Sequence, residues 1–137
     1  MTHEQEHRIK ILKNYLPHNG RALGIGDVRL ISDTLQKLRP QAECLVYRDK
    51  EIEEESINIL YSFGCWPIET YVDAHLEFVN KVLQQGGYVL LECAIGQVEK
   101  LMSPTNCAEW ELLGFESIGG GKELCLFRVF KIRSNAA

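Results

Sequence analysis

Two short stretches and one isolated acid carry residue types that could do chemistry. His3-Glu4-Gln5-Glu6-His7 has the H-E-x-x-H spacing, which turns two histidines to one side of a helix for zinc and leaves a glutamate as base. Catalytic zinc also needs a third ligand and an enclosed site, and a motif opening at residue 3 stands where helices fray. These residues are read as a solvated first helical turn capped by Thr2, and no metal is assigned. The second stretch, Arg21-Ala22-Leu23-Gly24-Ile25-Gly26-Asp27, is an apolar run that breaks into glycines, where a backbone without Cβ atoms can approach a ligand closely. Asp49 closes a further apolar run, Cys44-Leu45-Val46-Tyr47. No nucleophile or general base stands out, and the catalytic residues are unassigned.

Two other constellations weigh less. Asp73 and His75 are two apart on an expected helix, so their side chains do not face each other, and Asp73 is read as a cap. The five cysteines stand at 44, 65, 93, 107 and 125, with no C-x-x-C pair for zinc or redox work. Cys44, Cys93 and Cys125 lie in apolar runs and are read as small core residues, while Cys65 and Cys107 are expected nearer the surface.

The elements that must hold these residues follow from period and punctuation. Ile9, Leu12, Tyr15 and Leu16 recur at helical spacing until Pro17. Asp27 is positioned to cap a helix with Val28, Ile31, Leu35 and Leu38 inward, ended by Pro40. Ile57 to Tyr61 reads as a third strand, and residues 62–72 as a loop. Asp73 opens a helix through Leu76, Val79, Val82 and Leu83 that Gly86 ends as its left-handed terminal residue. Tyr88 to Cys93 is apolar at nearly every position, the pattern of a strand covered on both faces. Ser103-Pro104 opens a helix to Leu113. Phe115 to Ile118, a turn at Gly119-Gly120-Gly121 and Leu124 to Lys131 form an antiparallel hairpin. Strands alternate with helices until that hairpin, which predicts an α/β fold of three layers around a mostly parallel sheet.

With 137 residues, 45% of them hydrophobic and 25% charged, the chain has room for one domain and one core. The net charge of −4 argues against a duplex-binding footprint, so no nucleic acid is expected through a basic patch. No run approaches a membrane span and MTHEQEHRIK has no apolar signal region, so no membrane is expected and the location is read as cytoplasmic.

Over residues 9–131 the order of elements resembles the class I S-adenosylmethionine-dependent methyltransferases. Leu23-Gly24-Ile25-Gly26-Asp27-Val28-Arg29-Leu30 matches that family's glycine turn after the first strand. Leu76 to Glu92, with its Gly86-Gly87 pair, is similar to the segment through the family's fifth strand. Leu112-Leu113-Gly114-Phe115 and the hairpin are similar to its last helix and antiparallel seventh strand. The resemblance implies a Rossmann-like fold binding S-adenosylmethionine, with Gly24, Gly26 and Asp27 at the turn and Asp49 on the cofactor ribose. It implies methyl transfer to an unknown small-molecule or protein acceptor. Ser62, Phe63 and Trp66, after the third strand, become candidate substrate contacts, although two aromatics there also suit covering the core.

The departures are specific. Aligned on Gly26, the family's acidic residue falls on Gly24, and its later two glycines fall on Val28 and Leu30, whose branched carbons would enter the cofactor's space. Asn58 stands where the fourth strand has an acid. Only eight residues, Asp49 to Ser56, separate the second and third strands, fewer than the roughly 10–12 that a helical crossover needs. Extended, they span roughly 26–29 Å. The reading is therefore a methyltransferase-like sheet lacking part of the usual core, with pairing of 44–48 and 57–61 as an antiparallel hairpin the alternative. A nicotinamide site would need a third glycine at Arg29. The functional alternative is a degenerate, non-catalytic member that serves as an interaction or scaffolding module, as a homo-oligomer or with a protein partner.

Overall fold

Thr2 starts the first helix, α1 (His3–Tyr15), as the sequence predicts: its hydroxyl accepts from the Gln5 amide at 3.1 Å and the Gln5 side chain accepts the Thr2 amide at 3.0 Å. The protein is described by a computed structural model covering residues 1–63, 72–94 and 108–131, with backbone alone for 72–76. After α1 come β1 (Arg21–Ile25), α2 (Arg29–Leu38), β2 (Glu43–Val46), β3 (Ile57–Ser62), α3 (Val72–Val82), β4 (Leu83–Ala94), β5 (Ala108–Gly119) and β6 (Lys122–Lys131). The six strands form one sheet in the order β2-β1-β3-β4-β6-β5.

β1 runs parallel to both β2 and β3, β3 runs parallel to β4, and β6 lies antiparallel between β4 and β5. The bare connection is therefore the correct reading of the second and third strands. β1 lies between them, both point the same way, and residues 47–56 return over the sheet without a helix. Neighbouring side chains alternate across the sheet. Ala22, Ile59 and Leu90 face Leu12, Ile31 and Leu35 of α1 and α2, while Leu23, Leu60, Val89 and Leu91 face Val79 and Val82 of α3. These are the three expected layers.

Four boundaries differ from expectation, the first being that Asp73 lies inside α3 and does not cap it. Val28, not Asp27, is the residue before α2, and it makes no side-chain cap bond; the Val28 amide closes the turn on the Gly26 carbonyl instead. α3 stops at Val82, and Gly86, though left-handed at φ +72°, lies inside β4, where the β3–β4 register shifts between Ile57 and Ile59. Ala108 to Leu113 belong to a strand rather than to a helix, because Trp110 and Leu112 alternate with exposed Glu109 and Glu111 at period two. The proposed start of that helix, Ser103-Pro104, lies outside the described residues.

The two edges of the sheet are finished differently. At β2 the chain itself takes part of the outward backbone groups. Gln36 accepts from the Cys44 amide at 3.0 Å and donates to the Ala42 carbonyl at 2.6 Å, while the Asp49 amide bonds the Val46 carbonyl. This edge strand is thus partly covered from within. The β5 edge has no such cover among the described residues.

Candidate functional site

In a parallel α/β sheet the crevice for ligands lies beyond the carboxyl ends of the strands, where the strand order reverses. Here that place is between β1 and β3. Gly26 turns the chain out of β1 with φ +95°, a conformation that a side chain would strain, and Asp27 projects from the turn into solvent.

Gly24, two residues earlier, is glycine for a different reason. A Cβ there would lie 2.5 Å from Val28 Cγ2 and 2.7 Å from Tyr61 Cζ. Val28 is 1% exposed and Tyr61 is fully buried, so both belong to the core under α2. Burial pushes the Tyr61 phenol well above its ordinary pKa, with the neighbouring Ser32 hydroxyl pulling the other way. Leu30, expected to crowd the same space, instead points outward and is 50% exposed.

Asp49 follows β2 through a tight turn in which Arg48 is left-handed at φ +82°. Its carboxylate is occupied. Arg29, the first residue of α2, donates from Nη1 to Oδ2 at 2.6 Å and from Nη2 to Oδ1 at 2.8 Å. This hydrogen-bonded guanidinium holds the Asp49 carboxyl below the usual carboxylate range, against a smaller opposing effect of desolvation.

The remaining predicted contacts are placed as follows. Ser62 is buried at the end of β3 and donates from Oγ to the Ile25 carbonyl at 3.0 Å, tying β3 to β1. Phe63 is half-buried against Tyr61, ring centroids 5.7 Å apart, and the Arg8 guanidinium lies 4.7 Å from its ring centre. Arg8 also pairs with Glu92 at 3.0 Å, and Lys122 pairs with the same carboxylate at 3.2 Å. Trp66 lies outside the described residues. Asn58 sits at the other end of β3, accepting from the Arg21 amide and donating to Gln84, which is a strand-end tie. His3, Glu4 and Glu6 of the H-E-x-x-H stretch are exposed, and His7 pairs with Glu116.

Gly26 and Asp27 thus turn out of β1 at the crevice, the Arg29–Asp49 pair stands beyond the ends of β1 and β2, and Gly24, Val28 and Tyr61 pack together beneath α2. Arg29 and Tyr61, which the sequence does not single out, are the residues that contact the expected Asp49 and crowd the expected Gly24. The signal for Arg29 was its place in the first turn after the glycines; Tyr61 read only as an apolar strand residue. A cavity of about 510 Å³ opens beside the end of β2, lined by Tyr47, Arg48, Lys50, Ile52, Phe78 and Lys81, with the Tyr47 and Phe78 rings edge to face at 5.0 Å.

No family model matches the sequence, and no curated protein matches it. Solved structures do match in shape. Phosphoethanolamine N-methyltransferase 1 of Haemonchus contortus, in complex with phosphoethanolamine and S-adenosylhomocysteine, aligns with a TM-score of 0.63 and 11% identity over 93% of this chain. The tRNA (m1A58) methyltransferase TrmI of Aquifex aeolicus aligns with a TM-score of 0.51 and 16% identity over 98%. A candidate methylase of Haemophilus influenzae, HI0767, aligns with a TM-score of 0.53 and 13% identity over 93%. The fold is that of the class I methyltransferases. The chain spans 43% of the length of the first of these proteins, 71% of the second and 96% of the third. Relative to the family order inferred from sequence, the sheet of the described residues ends at β2, with no counterpart of the family's third strand among them.

Proposed function

We propose that this chain is a methyltransferase-fold domain that acts as an interaction module and does not transfer a methyl group from S-adenosylmethionine. The packing over Gly24 carries this reading. The family places an acidic side chain at that position, and here Val28 and Tyr61 leave no room even for a Cβ. No acidic side chain can stand at position 24, so the turn lacks the contact that the family's acid makes, and its residues do not fit that group. Asp49 adds support, because both of its oxygens already accept from Arg29.

A second reading keeps S-adenosylmethionine binding through Gly26, Asp27 and Asp49. It is favoured by the exposure of the Arg29–Asp49 pair, since an exposed ion pair is cheap to open. Methyl transfer from a sulfonium can proceed by positioning alone, so that reading needs no general base.

Titration calorimetry with S-adenosylmethionine and S-adenosylhomocysteine separates the two. The expected result is no saturable heat at millimolar ligand and no thermal shift. A ligand at 100 times its dissociation constant adds about 2.7 kcal/mol of stability, so binding would be plain as a shift of several degrees. Saturable binding overturns the non-catalytic reading and turns attention to methyl acceptors. Binding gained by Arg29→Ala alone would put the obstruction at Asp49 and overturn the role given to Gly24.

A further inference from the structure

We infer that the chain forms a two-fold dimer in which β5 of one copy pairs antiparallel with β5 of a second copy. The contrast between the two sheet edges points there. At β2 the chain spends a glutamine side chain and a turn amide on the outward backbone groups. At β5, three times the length of β2, no described residue bonds the outward side of residues 109–119. A strand of that length whose outer edge no described residue covers is a template for another strand.

The side chains on β5 suit a symmetric contact. Leu113 and Phe115, 41% and 66% exposed, stand at the middle of the strand. Leu113 is the residue left without a partner where the β5–β6 register shifts between Leu112 and Gly114. Glu109, Glu111 and Glu116 stand to either side, and β5 carries no Lys or Arg. Antiparallel pairing about Leu113 brings both copies of Leu113 and Phe115 to the centre. The same register sets Glu111 opposite Phe115 and Glu109 opposite Ser117, so no two glutamates face each other. An apolar centre with a charged rim is the ordinary anatomy of an interface, and a two-fold contact uses one patch twice. The two six-stranded sheets would join into one. This inference does not depend on whether the cofactor crevice is open.

Sedimentation velocity on the full chain, from about 1 to 100 μM, tests it. The expected result is reversible doubling of the 15.6 kDa mass. Leu113→Lys with Phe115→Lys should weaken self-association at least about 30-fold, and the exposed positions leave circular dichroism and thermal unfolding of the monomer unchanged. Hydrogen exchange should show amides of β5 gaining protection with concentration, while those of β2 do not change. A monomer across the whole range, a dimer indifferent to the two lysines, or concentration-dependent protection away from β5 would each overturn the inference. A monomer that instead binds a Lys-rich extended peptide through β5 would assign the edge to a different occupant and overturn it equally.

Discussion

Arg29 and Asp49, twenty residues apart in sequence, are locked together by two parallel hydrogen bonds beyond the carboxyl ends of β1 and β2. The pair joins the start of α2 to the turn after β2. An acid that the resemblance assigns to a ribose thus finds its partner within the chain. Because the planar guanidinium matches both carboxylate oxygens, a lysine at 29 would not reproduce the contact.

The pair fixes a pH dependence. Arg29 lowers the Asp49 pKa in the folded state, so its contribution to stability is complete above the unfolded carboxyl pKa and is lost as pH falls through the folded one. A carbon-13 titration of the Asp49 carboxyl should give a midpoint below the ordinary value of about 3.9. Arg29→Ala should return it to that value while changing overall stability little, since the pair is exposed. An unchanged midpoint in the variant would mean that the pair does not persist in solution.

Gln36 supports the partly covered β2 edge. It accepts from Cys44 and donates to the Ala42 and Arg39 carbonyls, the last at 3.2 Å. Gln36→Ala should cost about 1–3 kcal/mol in urea unfolding, because a partly buried amide and carbonyl lose their partners. Exchange of the Cys44 amide should quicken, and the variant should aggregate sooner than the wild type as β2 becomes available for pairing.

Burial pushes the Cys44 thiol up to about 11. It should therefore react slowly with thiol reagents at pH 8, as mapped by mass spectrometry on the native chain. The folded state holds this proton more tightly, so the thiol's contribution is present below the unfolded pKa near 9 and is lost as pH rises from there towards 11. Cys44→Ser should lessen the decline of stability over that interval; an unaltered pH profile would show that Cys44 does not titrate there.

Much of the architecture was legible because it is written in short-range pattern. The apolar strand 88–93, the glycine turn near 120 and the crowded span between Asp49 and Ser56 give the topology of a trimmed methyltransferase sheet. The helix expected at 103–113 was misplaced at its C-terminal half because Ser103-Pro104 is a strong local start signal. The two-residue alternation of Glu109 to Leu112 is visible only when read against that cue. The candidate site was half legible. Gly26 and Asp49 follow from element ends, whereas Arg29 meeting Asp49 and Tyr61 reaching under Gly24 are long-range relationships with no local signature. Leu30 shows the limit of aligning on a motif, since a residue in the glycine frame has turned outward with the helix.

The contact between Gly24 and Val28 is the sharpest test of the reasoning about the crevice. Gly24→Ala drives a methyl group into Val28 Cγ2 and the Tyr61 ring and should destabilise by about 1–3 kcal/mol through overpacking. Val28→Ala alone should cost about 1–3 kcal/mol for lost burial and the cavity left behind. Together the two changes should cost less than their sum, because the space released at 28 accepts the methyl added at 24. A non-additive term of 0.5–3 kcal/mol is typical of residues in contact. If the costs simply add, Val28 does not fill the space over Gly24 in solution, and the ground for excluding an acid at position 24 disappears with it. If they couple as expected and the double variant still shows no heat with S-adenosylhomocysteine, the closure extends to Tyr61. Tyr61→Ala in the same background is then the variant that should open the crevice.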